Sequence, residues 1–235
     1  MRRNGYSIAL REYEASLRRA QHLQRLEVSR YRDPPPRQDQ VGVEALRGGA
    51  TVLMVASFER YLREALEEFV DLVAGQAMVT SHSGLSPNFV EFNDFNYFNW
   101  LIRDSRLPRK QKAGELKRVA QLVAIDRFVP EAFSRTRANP GPTTVKELFH
   151  DFGISDPFRA IEANFARHFA KPFAFGFVEQ TLSSIINIRN QVAHEGFSLS
   201  ISRSDLREWL IFLNALGKAS DNTLRDHTLS VLASL

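Results

Sequence analysis

Apolar residues recur at three- and four-residue spacing along nearly the whole chain of 235 residues. This is the spacing of an α-helix that buries one face, so each such stretch predicts an amphipathic helix. Alternation of apolar and polar residues, the pattern of a strand, is confined to 197–201. Prolines at 34–36 and the Asn-Pro-Gly-Pro run at 139–142 interrupt the helical pattern. The sequence therefore predicts an all-α fold.

We expect one domain over 1–235, with the middle third, about 80–155, as an irregular insertion between longer helices of a bundle. The apolar repeat places helices at 7–32, 40–74, 89–104, 116–128, 145–152, 157–169, 176–195 and 204–216, and the pattern resumes near the C-terminus. Polar residues before three of these stretches are candidate N-caps: Thr143 or Thr144, with Glu147 completing a capping box, then Asp156, and Ser202 or Ser204.

Cysteine is absent, which excludes disulfides, thiolate metal sites and cysteine nucleophiles. No apolar run approaches the roughly 18 residues that span a bilayer, and the charged N-terminal stretch lacks the apolar core of a signal peptide. We therefore expect no membrane span and a cytoplasmic protein. The histidines outside 176–195 show no metal-ligand spacing, and no glycine-rich phosphate loop is present, so neither a metal nor another cofactor is expected.

Lysine and arginine together number 31 against 27 aspartates and glutamates, which gives a net charge of +4. This excess is too small to predict a nucleic-acid-binding protein by itself. Only six of the 31 basic residues are lysine. Arginine can grip a phosphate with two parallel hydrogen bonds, but a high arginine content also follows from genome base composition, and both interpretations stay open.

The segment 176–195 combines an apolar face with a line of polar residues at helical spacing. That line consists of Gln180, Ser183, Asn187, Asn190 and His194, which a helix stacks on one side. Arg189 lies beside Asn190, and its long side chain can reach the line. A polar line of this kind is most often a solvated face. Chance alone gives about 0.6 pairs of an arginine and a histidine at this spacing per chain of this composition.

The same residue types would suffice for RNA cleavage without a metal. Histidine donates or accepts a proton near neutral pH, which activation of a 2′-hydroxyl and protonation of a leaving 5′-oxygen both require. Arginine stabilises the negative charge that builds on the phosphoryl oxygens, and asparagine can orient the phosphate or the histidine. One histidine is few for two proton transfers, and a second copy of the chain across a two-fold axis would supply another.

The sequence Ile-Ile-Asn-Ile-Arg-Asn-Gln-Val-Ala-His-Glu-Gly at 185–196 resembles the signature of the HEPN superfamily. Its members are α-helical domains, many of them ribonucleases of toxin–antitoxin and antiviral systems. The motif is an arginine, usually followed by a polar residue, and a histidine four to six residues further on; Arg189, Asn190 and His194 match it. The stretch 52–62 is similar to the early helix of the RiboL-PSP and MAE branches, and 148–154 to their "LF…FGI" element.

The resemblance implies a HEPN-type helical bundle that acts as a metal-independent endoribonuclease and as a homodimer. Arg189 would hold the scissile phosphate, His194 would act as acid or base, and Asn190 would support them. Two copies of the motif helix would line one shared cleft. Ser183 and Asn187 are further candidates for supporting this site.

Glu59 is a candidate for orienting His194 or Arg189. An ion pair between Glu59 and Arg63, one helical turn further on, is the simpler interpretation of the same residue.

The resemblance also implies an RNA substrate and a role as a toxin or an antiviral effector. Because an unchecked ribonuclease would harm its host, a cognate antitoxin protein is expected as an inhibitor. A non-catalytic HEPN module that only dimerises or binds a partner is the main alternative. An unrelated helical scaffold is a third.

Two further patterns allow both a binding and a structural interpretation. Basic residues that could guide an RNA backbone, or simply form a solvated face, are Arg103, Arg106, Arg109, Lys110 and Lys112. Aromatic residues that could stack on bases, but that favour core packing or a dimer contact, are Phe89, Phe92, Phe95 and Phe98, with Phe173, Phe175 and Phe177 expected to seat the motif helix in the core.

Overall fold

A computed structural model describes residues 6–80, 95, 97–103, 107–125, 140–195 and 201–234. Its helices are α1 (Ile8–Arg30), α2 (Gln40–Thr80), α3 (Arg109–Ala124), α4 (Pro142–Asp151), α5 (Pro157–Phe165), α6 (Phe177–Glu195) and α7 (Arg203–Ser234), with a 3₁₀ turn at Arg37–Asp39. Residues 97–103 are also helical. No strand occurs in the described ranges, so the predicted all-α fold is confirmed.

The long helices α1, α2 and α7 pack together around the main hydrophobic core. Tyr13 of α1 stacks on Tyr61 of α2 with ring centroids 5.0 Å apart. Their hydroxyls each donate a 3.0 Å hydrogen bond to α7, from Tyr13 to the carbonyl of Leu213 and from Tyr61 to the carbonyl of Gly217. The aromatic rings thus fill the core while their polar tips are satisfied, as burial of tyrosine requires.

Helix α7 departs from the predicted boundary near 216 because it runs unbroken through Gly217. Glycine weakens a helix in isolation, but here it admits the ring of Tyr13, which lies where a side chain would otherwise project. Ser202 precedes α7 as predicted. Its hydroxyl accepts a 3.1 Å hydrogen bond from the backbone N–H of Asp205, whose carboxylate accepts one of 2.8 Å from the backbone N–H of Ser202.

The predicted cap of α4 is wrong. Gly141 occupies the N-cap position without a side-chain hydrogen bond, and Pro142 begins the helix, so Thr143 and Thr144 lie inside the first turn. Proline at the first helical position needs no N–H partner, and this fixes the start one residue before Thr143. At α5 the predicted cap is observed, since the Asp156 carboxylate accepts a hydrogen bond from the backbone N–H of Arg159 at 3.4 Å.

A buried ion cluster joins α1, α2 and the start of α7. Glu27 is fully buried and accepts hydrogen bonds from Arg47 at 2.8 Å and from Arg203 at 2.9 Å. Arg47 also donates to the carbonyl of Ile201 at 2.8 Å, and Arg203 to that of Tyr31 at 2.6 Å. Each described partner of Glu27, Arg47 and Arg203 in this cluster is a charged group or a backbone carbonyl. The cluster therefore holds the start of α7 against α1 and α2.

Within 80–155, the described residues contribute to two hydrophobic clusters. Tyr97, Trp100, Leu101 and Val119 form a small cluster of their own. Residues of α4, by contrast, pack in the main core with α1, α2 and α7. Of the aromatic repeat in this region, Phe95 is exposed and Phe98 is half-buried, whereas Phe89 and Phe92 lie outside the described residues.

In the described part of the chain, one helical stretch, Arg37–Val73, is long and apolar enough to cross a membrane, with a mean hydropathy of 1.3. Half of the most apolar 18-residue segment of this stretch is buried within the fold. A core helix of a non-membrane protein meets the same length and composition, so these two properties do not identify a membrane span.

Candidate active site

Helix α6 is fixed by its apolar face. Val178, Leu182 and Ile185 are fully buried, and they pack in the main core together with α2 and α7. At the N-terminal end, Phe177 belongs to a group of phenylalanine rings that includes Phe165, with centroids 6.3 Å apart. The predicted apolar stripe therefore faces the core, and the opposite side of α6 is turned towards solvent.

The aromatic residues before α6 behave differently from one another. Phe173 and Phe177 pack against the core, as predicted, with centroids 5.7 Å apart. Phe175 was expected to join them, but 85% of its surface is exposed. The reason is local: Gly176 has a φ of +79°, and the chain turns there between Phe175 and the first residue of α6.

The predicted polar line divides into exposed and half-buried members. Gln180, Asn187 and His194 are exposed, whereas Ser183 and Asn190 are half-buried. The line therefore forms a continuous polar surface along α6, and His194 lies at its C-terminal end in the last turn of the helix.

Arg189 lies on the same turn as Asn190 but closer to the core. Its Nη1 donates a 3.1 Å hydrogen bond to Oδ1 of Asn190, so the guanidinium reaches the polar line as its length predicted. The Nε atom of Arg189 is buried and has no hydrogen-bond partner among the described residues. A buried donor without a partner costs about 1–3 kcal/mol, a cost that functional sites can carry.

The arrangement of these residues is suited to phosphate chemistry. A guanidinium offers a planar set of donors to two oxygens of one phosphate, and Arg189 brings such a group to the polar side of α6 through its hydrogen bond with Asn190. His194, exposed five residues later, is accessible to a bound substrate. An imidazole can serve as acid or base near neutral pH. The C-terminal end of α6 therefore carries a cation that can bind phosphate, Arg189, and a group that can transfer protons, His194.

Glu59 is half-buried on α2. Among the described residues it forms no ion pair, with Arg63 or with Arg189, so neither its predicted orienting contact nor the simpler ion pair is present in this structure.

The predicted basic stretch is only partly available for ligands. Arg103, Arg109 and Lys110 are exposed, and Arg106 lies outside the described residues. Lys112 instead donates a 3.0 Å hydrogen bond from Nζ to the carbonyl of Ile102 and is half-buried. It therefore joins α3 to the 97–103 helix.

An apolar groove of about 650 Å³ lies between α2 and the C-terminal end of α6. It is lined by α2 residues from Val41 to Ala56 and by Val192, two residues before His194. Small residues open this groove, among them Gly48 and Gly49. Gly48 and Gly49 are adjacent in the sequence, but the sequence alone predicts only a weak point in the helix or a close contact with another helix there, not a groove.

In the ranges that the structure describes, no three histidine, aspartate or glutamate side chains are grouped in a way that could hold a metal ion.

Comparison with protein families gives a match to one family model, RiboL-PSP-HEPN, over residues 14–226. The matched region contains α6 with Arg189, Asn190 and His194, as well as all of α2. No curated protein and no solved structure matches the chain significantly. HEPN domains are nuclease-like or RNA-binding modules and are generally ribonucleases. The match covers most of the sequence, and the chain belongs to the RiboL-PSP-HEPN family.

Proposed function

We propose that this protein is a metal-independent endoribonuclease whose reaction takes place at Arg189, Asn190 and His194. The observation that carries the proposal is the arrangement at the end of α6. There a half-buried guanidinium with an unpaired Nε lies beside Asn190, and an exposed imidazole follows one and a half turns later. In a member of a family whose domains are generally ribonucleases, this arrangement favours phosphodiester cleavage over a solvated face.

The proposed reaction is an attack by the 2′-oxygen of the RNA on the adjacent phosphorus. A base removes the proton of the 2′-hydroxyl, the bond from phosphorus to the 2′-oxygen forms, and the bond to the 5′-oxygen breaks. An acid gives a proton to the leaving 5′-oxygen, so the products are a 2′,3′-cyclic phosphate and a 5′-hydroxyl. Arg189 stabilises the charge on the phosphoryl oxygens, and Asn190 holds its guanidinium in place.

Helix α6 carries one histidine, His194, so two copies of the chain would supply the acid and the base. We therefore propose a homodimer in which two motif helices border one cleft. The apolar groove beside Val192 supports self-association near the site, and at its rim Val41 is 76% exposed. Ser183 and Asn187 are proposed as supporting residues, and Arg103, Arg109 and Lys110 as contacts for the RNA backbone.

RNA cleavage in EDTA tests the chemistry. Wild-type protein cleaves single-stranded RNA in the presence of the chelator, and His194→Ala and Arg189→Ala each lower the rate at least about a hundredfold without lowering the melting temperature. His22→Ala is the matched control, since His22 is exposed on α1 and far along the chain from the motif. Cleavage by His194→Ala at the wild-type rate would exclude the proposal. Intact RNA with the wild type favours a non-catalytic module.

The dimer is tested at the groove. Ala56 is exposed and lines it, so Ala56→Glu places a charge in an apolar contact and should convert the dimer to a monomer that no longer cleaves RNA. Ala163→Glu on α5 introduces the same charge at another exposed alanine, away from the proposed RNA contacts, and leaves both properties unchanged. Sedimentation velocity measures the mass, and a monomeric wild type that is fully active would contradict the shared cleft.

We further propose that the protein acts as a cytoplasmic toxin or antiviral effector restrained by an antitoxin protein. Induced expression of the wild type alone should stop bacterial growth, and expression of His194→Ala should not.

A further inference from the structure

Among the described side chains, the solvent-facing side of α6 carries no formal charge. The exposed side chains that the structure describes on this helix are Gln180, Ser184, Asn187, Gln191, Ala193 and His194. An acidic residue of α6, Glu179, is half-buried and paired with Lys146 at 2.6 Å. A solvated helix face is usually rich in lysine and glutamate, whereas this one presents amides and hydroxyls, which donate and accept hydrogen bonds without repelling a polyanion.

A nearly fully exposed aromatic ring lies at the other end of the same helix. Phe175 is 85% exposed and makes no ring contact with the described aromatic residues, although Phe173 and Phe177 on either side of it are packed. The amide of Gln180 lies beside Gly176, since its Nε2 would be 3.6 Å from a Cβ at that glycine. The chain therefore passes from the exposed Phe175 through Gly176 directly to the start of the uncharged face.

Phe175, the exposed amides of α6 and the candidate active site follow one another along the chain. From Phe177 to His194 the helix rises about 26 Å at 1.5 Å per residue, a length that several nucleotides of a single strand can follow. Unpaired bases stack on exposed aromatic side chains, and amides bond to base edges and to 2′-hydroxyls. The cationic Arg189 lies towards the end of the path where the phosphate would react. In a duplex the base faces are stacked and the Watson–Crick edges are paired, so neither is available to such a surface.

We propose that the uncharged face of α6 is a binding path for single-stranded RNA, with Phe175 as a base-stacking platform remote from the reacting phosphate. This inference rests on the proposed ribonuclease function and adds a specificity-determining residue to it. It predicts that short RNA, which cannot extend from His194 to Phe175, is bound and cleaved less well than longer RNA.

Binding to the cleavage-deficient His194→Ala protein tests the path. Fluorescence anisotropy with a labelled 20-nucleotide single strand should show about tenfold weaker binding when Phe175→Ala is added, and near-unchanged binding with Phe175→Trp, which keeps a stacking ring. Phe95→Ala is the matched control because Phe95 is also exposed, at 67%. Because Phe175 is exposed, its substitution leaves the fold intact, and the melting temperature checks this.

A second pair of variants tests the uncharged face. Ser184→Asp places a carboxylate on the path and should weaken binding of the single strand at low salt, whereas Ser230→Asp, at an exposed serine of α7, should not. Equal affinities for Phe175→Ala and its parent, a larger loss from Phe95→Ala, or tighter binding of a duplex would each overturn the path. If the face instead pairs with a second copy, Ser184→Asp lowers the dimer mass, and this also overturns it.

Failure of this inference differs from failure of the proposed function. If cleavage depends on His194 but Phe175→Ala cleaves long RNA at the wild-type rate, the proposed ribonuclease function stands. The base-stacking role of Phe175 is then excluded.

Discussion

Nη1 of Arg189 donates a 3.1 Å hydrogen bond to Oδ1 of Asn190, its immediate neighbour on α6. Adjacent residues on a helix point about 100° apart, so the contact requires the arginine to curve from the core side towards the polar side. The bond therefore holds a flexible cation at the boundary between the core and solvent. A substrate phosphate would meet a guanidinium that is already oriented, which reduces the ordering needed on binding.

Replacement of Arg189 by methionine should separate function from stability. Methionine keeps the apolar stem that packs near the core and removes the buried Nε that lacks a partner. We expect Arg189→Met to be at least as stable as the wild type, with a gain of up to about 1 kcal/mol in the free energy of unfolding, and to lose RNA cleavage. Urea denaturation and a cleavage assay measure the two effects, with the exposed Arg159→Met as a control that changes neither. Marked destabilisation would show that the arginine is structural.

Gly217 should tolerate no side chain. A Cβ at this position would lie 2.8 Å from Cδ1 of Tyr13, whose ring is stacked on Tyr61 and cannot withdraw. We expect Gly217→Ala to lower the free energy of unfolding by about 1–3 kcal/mol, because overpacking displaces a buried ring. Gly114→Ala on α3 is the control: nothing lies within 4 Å of its Cβ position, so the better helix former should be neutral or stabilising. Equal behaviour of the two variants would contradict the packing described.

The central packing shows what a sequence pattern can predict. The apolar repeat identifies Tyr13 and Tyr61 as members of core-facing stripes, and both are buried. The repeat cannot show that α7 continues through Gly217, because a glycine weakens a helix locally and only the approach of Tyr13 explains it. The contact between Ser7 and Asp221, 214 residues apart, is likewise set by tertiary packing. Helix positions follow from local spacing, and these contacts do not.

The candidate site also combines features that the sequence predicts with features that it does not. Resemblance to a family motif identifies Arg189, Asn190 and His194, and the length of the arginine side chain predicts that Arg189 can reach the polar line at Asn190. The exposure of Phe175 is not predictable from the pattern, because an aromatic residue between two core aromatics reads as core. A positive φ at Gly176 turns the chain there, and sequence alone does not reveal the direction of that turn.

Loss of the buried charge at Glu27 should be strongly destabilising. Its carboxylate accepts hydrogen bonds from both Arg47 and Arg203, so Glu27→Gln leaves the buried Arg47 and the half-buried Arg203 with less compensation. We expect the free energy of unfolding to fall by about 3 kcal/mol. Glu64→Gln removes the exposed pair with Arg60, which is 2.6 Å long, and should leave the free energy of unfolding nearly unchanged because solvent screens the two charges. Chemical denaturation measures both, and similar losses would show that burial does not strengthen the cluster.

Asp151 should make stability fall as the pH rises. Burial at the end of α4 raises the pKa of its carboxyl from 3.8 to about 6, the nearby His150 opposes this, and Glu147 adds to it. Between pH 3.8 and about 6 the folded protein therefore binds more protons at this site than the unfolded chain, so the contribution of Asp151 to stability is lost across that window. A shift of this size corresponds to at most about 3 kcal/mol, and partial exposure reduces it.

The melting temperature of Asp151→Asn should match that of the wild type at pH 4 and be higher at pH 7.5. The melting temperature of the exposed control Asp226→Asn should not show this difference. Equal melting temperatures of Asp151→Asn and the wild type at both pH values would mean that this carboxyl titrates normally in the folded protein.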